Sequence, residues 1–208
     1  MRRVTEERVY RRWYLLPAAA LLWNETVYYA GRFLAQGSAH TDMSTSLDGL
    51  IPFMPWMATI YVGCFAFWAA VYVACAKRDR AQARRFYLAD ALTKGVCLAF
   101  FLLLPTTMSR PEALGGDIWS AAVRLLYEID EPTNLFPSIH CAVSWLCWAG
   151  LRGREDTPRG VRAAALAQAV LVAASTLTIK QHVLADAASG ILLAELMWQV
   201  SGRLIRQN

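Results

Sequence analysis

The chain has 208 residues, 56% of them hydrophobic and only 18% charged, with a formal net charge of +5. Soluble domains carry about 25% charge, and here the apolar residues gather in runs close to the length of a bilayer crossing. That excludes a disordered chain, a disulfide-framed miniprotein and an ordinary soluble enzyme, and it makes the basic residues signals of topology, with no nucleic acid as partner.

Six apolar segments predict an all-α membrane protein, a six-transmembrane-helix bundle forming one domain over residues 1–208. A basic head with Arg2, Arg3, Arg8, Arg11 and Arg12 precedes the first helix, residues 13–35, which is too long for a signal-peptide core. The second helix is expected over 50–76 and the third over 87–104. In the long connection that follows, Asp117 is an N-cap candidate, and Ile118, Ala122, Leu125, Leu126 and Ile129 repeat at helical spacing. This predicts a short amphipathic helix along the membrane surface, in the outer loop between helices three and four. The fourth helix opens at Pro137-Ser138 and runs to Leu151, which is short for a crossing. Residues 161–179 and 182–201 supply the fifth and sixth. The five cysteines fall inside apolar runs without CxxC spacing and read as buried, inert thiols.

The connections alternate in charge. The head, residues 77–85, residues 152–162 and the tail with Arg203 and Arg206 are basic. Residues 36–49 carry Asp42 and Asp48 and no Lys or Arg, and residues 106–136 are net acidic. The positive-inside rule then puts both termini in the cytoplasm. Three polar places consequently reach the extracytoplasmic face together: Arg110-Pro111, the stretch from Asn134 to His140, and the stretch from Ser175 to Asp186.

Their spacing suggests a chemistry. On a helix, His182 and Asp186 share a face, so the carboxylate can hold one imidazole N–H and leave the other nitrogen as a nucleophile. Pro137 suits a first helical position, and Ser138 adds a hydroxyl beside exposed backbone N–H groups, which makes an anion site. His140 is a general-acid candidate, and Arg110 and Lys180 supply positive charge. Together these residues point to phosphoryl transfer without a metal or a cofactor.

The same residues resemble the type 2 phosphatidic acid phosphatase superfamily, whose motifs are K-x6-R-P, P-S-G-H and S-R-x5-H-x3-D. The resemblance is to its inositolphosphotransferase-like and sphingomyelin-synthase-like branch, which uses the form N-x-F-P-S-x-H. Here Ser175, His182 and Asp186 keep the third spacing, and Pro137-Ser138-Ile139-His140 keeps the second with Ile139 in place of Gly. Arg110-Pro111 keeps the end of the first. Leu103 stands where the family has Lys, and Thr176 where it has Arg, so two phosphate-binding cations are absent from their usual places.

The resemblance implies a multipass lipid phosphatase or phosphotransferase acting on a membrane lipid phosphate or diphosphate through phosphohistidine. His182, His140 and Asp186 are the expected catalytic residues, and Arg110, Lys180 and Ser138 the expected phosphate ligands. Water as acceptor gives hydrolysis; an alcohol acceptor gives transfer. The lipid, the acceptor and the oligomeric state stay open, and a non-catalytic lipid-binding or scaffold protein on the same fold is the alternative. Away from this site, Lys94 sits at a depth where a lone charge costs a few kcal/mol. It is expected to pair with Glu195 or Asp90, with Glu25 and Asn24 as weaker candidates.

Overall fold

The computed structural model describes residues 12–77, 80–112 and 115–206, so most of the basic head lies outside the described residues. The structure is all-helical apart from one two-residue parallel bridge. In chain order the elements are α1 (Leu15–Leu34), β1 (Thr41–Asp42), α2 (Ser46–Leu50), a 3-10 turn (Pro55–Met57) and α3 (Ala58–Ala76). There follow α4 (Arg80–Leu103), β2 (Thr106–Thr107), α5 (Ile118–Ile129), α6 (Ile139–Leu151), α7 (Arg159–Thr178) and α8 (Leu184–Arg206).

Three stretches among the described residues are long and apolar enough to cross a membrane: Pro55–Ala76, Arg80–Leu103 and Arg159–Thr178. Two boundaries differ from the sequence expectation for clear reasons. The helix expected from residue 50 begins only at the Pro55 turn, because a residue before proline is pushed out of the helical region and Pro52 and Pro55 lie close together. The extended segment so formed is pinned to α7, where Met54 N donates to Thr178 O at 3.0 Å. The helix expected from residue 87 starts at Arg80, since the Ala, Gln and Arg residues ahead of the apolar run are strong helix formers. A hydropathy boundary is not a helix boundary.

The centre of the bundle is α6. It packs against α3, α4, α7 and α8 and is buried through most of its length. Small residues allow this: Ala142, Ser144, Ala149 and Gly150 leave little side chain between the helices. A Cβ at Gly150 would lie 2.8 Å from the Phe86 ring of α4. Ser144 also accepts a hydrogen bond from Trp68 Nε1 of α3 at 2.9 Å, so the packing carries its own polar link.

Lys94 is almost wholly buried and pairs with Asp90, one turn away, at 2.9 Å; its ammonium also reaches Ala20 O of α1 at 3.4 Å. Tyr72 of α3 donates to the same Asp90 carboxylate. Glu195, the other expected partner, is taken instead by Arg152 and by Trp145 Nε1. Asn24 donates to Glu25 at 3.3 Å, and neither bonds Lys94.

At the far ends of α1 and α4 the connections are stitched together. Thr41 N donates to Pro105 O at 2.9 Å, and β1 and β2 pair Thr41 with Thr106 and Asp42 with Thr107. Thr106 is buried, and its Oγ1 accepts from Leu135 N and Phe136 N, both at 3.1 Å. One threonine thus joins three connections at the end of the bundle that carries the polar motifs.

Candidate active site

His182 does not sit on a helix. It lies in the short link between α7 and α8, two residues before Leu184. The link is shaped by Lys180, which takes the left-handed region at φ 54°, and by Thr176 O, which accepts from Gln181 N at 2.9 Å and His182 N at 3.1 Å. Asp186, in the first turn of α8, caps that helix by accepting from Val183 N at 3.0 Å. The same oxygen lies 3.3 Å from His182 Nδ1. The i,i+4 pair therefore forms through a capping geometry and not along a helix face. Its other oxygen, Oδ1, is buried with no partner among the described residues.

The second motif arrives from α6. Ser138 is its N-cap, with Oγ accepting from Cys141 N at 3.3 Å, and Ser138 N donates to Asp186 O at 3.0 Å. The two motifs are thus hydrogen-bonded through their backbones. Ser138 is fully buried, and its hydroxyl oxygen serves the helix. The first amides of α6, Ile139 N and His140 N, have no acceptor among the described residues, the usual state of donors in the first turn of a helix.

His140 is held by aromatic rings. Its imidazole stacks on Tyr61 with centroids 4.5 Å apart, meets Phe65 at 6.0 Å and Trp68 at 5.4 Å, and lies 6.0 Å from the His182 ring. Its Nε2 is buried with no hydrogen-bond partner among the described residues.

The cations stand on the other side of His182. Arg110 lies over the Tyr127 ring at 4.4 Å, donates to Asp130 O at 2.6 Å and to the Gln181 side chain, and keeps its Nε unpartnered among the described residues. Burial lowers the Arg110 pKa, and Asp130 opposes that shift. Burial also pushes the Tyr127 phenol up to about 12, while Arg110 acts the other way. Tyr127 Oη donates to Ile179 O at 2.7 Å, so α5 supports the His182 link from outside. Lys180 donates to Asp48 O at 3.0 Å and Ile51 O at 2.7 Å, which leaves one of its three N–H bonds for another acceptor.

Asp48, Arg110, Lys180 and His182 line one cavity of about 400 Å³, together with Ser44 and Met108. Ser138 and His140 are not among its lining residues. Asp48 was not singled out by sequence. It accepts from Thr45 N and Thr45 Oγ1 at 2.8 and 2.7 Å and from Leu184 N at 2.7 Å, so it ties α2 to the start of α8. Burial would raise the Asp48 carboxyl, but these donors and the Lys180 charge hold it below the usual carboxylate range. The Thr45-x-x-Asp48 pattern is a capping-box signal; the reach to Leu184 has no local signal. Gln181 and Tyr127 were likewise missed.

The family model of the PAP2 superfamily matches residues 38–200. The chain belongs to the PAP2 superfamily. No curated protein and no solved structure matches it. Membership and the apolar helices make it an integral membrane protein of a phosphatase and phosphotransferase family. The two positions that lack the cations of the superfamily's motifs lie in different surroundings. Leu103 ends α4 at 85% exposure, and Thr176 is fully buried with its Oγ1 3.7 Å from Cys141 Sγ. Arg110 and Lys180 are the cations lining the cavity beside His182.

Proposed function

We propose that the protein is a lipid phosphatase or phosphotransferase that works through a phosphohistidine at the extracytoplasmic face. The observation that carries this reading is the His182–Asp186 contact beside a cavity that also presents Arg110 and Lys180. With Asp186 holding Nδ1, His182 Nε2 attacks phosphorus: the P–N bond forms and the P–O bond to the lipid alcohol breaks. His140 gives that oxygen its proton, then takes one from the incoming water or alcohol, whose oxygen displaces the histidine and restores the free enzyme. Arg110, Lys180 and the unpaired amides at the start of α6 offset the charge on the phosphoryl oxygens. Ser138 contributes by holding that helix end in place.

The membrane arrangement belongs to the same reading. Six crossings, with α1, α6 and α8 completing the set and both termini cytoplasmic, put the cavity outside, and α5 rests along the outer surface with Ile118, Leu125 and Ile129 exposed. The alternative, a non-catalytic lipid-binding protein, draws on the absent cations at Leu103 and Thr176. Purified protein given a panel of lipid phosphates in detergent separates them. Inorganic phosphate release that survives EDTA and vanishes in His182→Ala supports catalysis. Equal background release by both proteins, with no phosphoryl transfer to an added alcohol acceptor, leaves only binding.

A further inference from the structure

An open groove of about 390 Å³ runs between α1 and α3, apart from the cavity beside His182. Ala18 and Leu21 form one wall, Phe65, Ala69 and Val73 the other, and Val143 of α6 lies at its base. Most of its lining is apolar, with Asn24 and Glu25 of α1 as polar members of the first wall, and α3 is long and apolar enough to cross a bilayer. Since α1 lies outside residues 38–200, one wall comes from a helix that the PAP2 match does not include.

The two ends of the groove differ. At one end Phe65 and Trp68 line it and also touch the His140 ring, at 6.0 and 5.4 Å between centroids. His140 therefore stands between this groove and His182, whose ring is 6.0 Å away on the other side. At the other end are Tyr72 and Lys94, whose ammonium is 5.5 Å from the Tyr72 ring and bonded to Asp90 and to Ala20 O. That buried ion pair has its partners in place, and an incoming hydrocarbon offers it none, so the charge cannot move aside.

We propose that this groove holds one hydrocarbon chain of the lipid phosphate substrate, running from His140 inward until it meets the Lys94–Asp90–Tyr72 cluster. The proposal rests on the phosphoryl-transfer reading above and adds where the lipid lies. From Phe65 to Val73 is eight residues, roughly 12 Å of helix. Carbon–carbon bonds of about 1.5 Å advance an extended chain by about 1.3 Å per carbon, so the groove takes about nine carbons. Beyond that length the chain must leave for the bilayer. A lipid tail gains little by leaving other lipid tails for a protein wall, so the groove acts chiefly by registry. It sets the oxygen at the head of the chain beside His140, where the proton is needed.

Photoreactive lipid phosphates test this with the whole protein in detergent. One probe carries a diazirine near carbon 6 of its chain and a second near carbon 16. The expected result is labelling of the α1 and α3 peptides by the first probe, competed by unlabelled lipid phosphate, and no competed labelling there by the second. Ala69→Trp fills the groove; it should remove the labelling and lower kcat/KM for a long-chain lipid phosphate about tenfold. It should leave turnover of a short-chain, water-soluble analogue unchanged, as should Val62→Trp, on the same helix but outside the groove. Labelling spread over other helices and insensitive to competitor overturns the proposal, as does an equal loss on both substrates in Ala69→Trp. Competed labelling in the groove without phosphate release supports the lipid site and refutes the catalytic reading instead.

Discussion

Gly190 offers a measurement of how tightly the two histidine motifs are coupled. It lies one turn after Asp186 on α8, and a Cβ placed there would sit 2.4 Å from Ser138 O and 3.3 Å from Ser138 C and N. Ordinary contacts between such atoms are near 3.5 Å, so Gly190→Ala must drive α8 and the start of α6 apart by about 1 Å. Overpacking of this kind costs about 1–3 kcal/mol, and alanine returns about 1 kcal/mol through its helix propensity. The net loss of stability is therefore small, on the order of 0–2 kcal/mol. The loss of turnover is not. Ser138 N bonds Asp186 O, so the displacement separates His140 from His182, and a misplacement of about 1 Å costs roughly a hundredfold. Phosphate release and thermal midpoint, measured together in detergent, check the disproportion. Gly63→Ala on α3, where a Cβ meets nothing within 4 Å, is the control. Unchanged turnover in Gly190→Ala would refute the claim that this contact sets the spacing of the site.

Asp186→Asn should lower kcat by about 10³- to 10⁴-fold by releasing the His182 tautomer, and His140→Ala should spare substrates with good leaving groups; equal loss on good and poor leaving groups would remove His140 as the acid. Because the folded Asp48 pKa lies below its ordinary value of 3.8, Asp48 stabilises the fold above that pH and loses its contribution as pH falls through the lower, folded value. Melting curves of the native protein and Asp48→Asn should therefore differ at pH 6, begin to converge near pH ~3.8 and meet only below the folded value. Lys94→Met alone should destabilise by about 3–5 kcal/mol by stranding Asp90, and Lys94→Met combined with Asp90→Leu should recover most of it, as read by denaturation in detergent. A reporter fused to the C-terminus should read cytoplasmic and one inserted near residue 115 external.

What was legible in the sequence is what depends on short spacing. A spacing of four positions brought the His182 and Asp186 side chains within 3.3 Å, although by way of a helix cap the periodicity did not describe. The same spacing joined Asp90 to Lys94, and burial in an apolar run made the pairing necessary. Contacts that depend on how helices meet were not legible. Asp48 reaches Leu184 across 136 positions, and Glu195 turned to Arg152 because α6 ends beside α8. Ser138 read as a phosphate ligand because it sets a hydroxyl beside the backbone N–H groups of a helix start; in three dimensions Gly190 lets α8 pack closely against it, and the hydroxyl is left to cap its own helix.

The Thr106 junction has a dynamic consequence. The β1–β2 bridge joins residues 41–42 to residues 105–107, and the Thr106 hydroxyl joins residues 135–136 to the same stretch. The first of these stretches leads to Asp48, the second to Arg110 and the third to Ser138 and His140. The middle stretch cannot lift without breaking bonds to both of the others, and neither outer stretch can lift without breaking bonds to it. Amide exchange at Thr41, Leu135 and Phe136 should then follow a single opening free energy, so the roof of the site unlocks as one cooperative unit and not loop by loop.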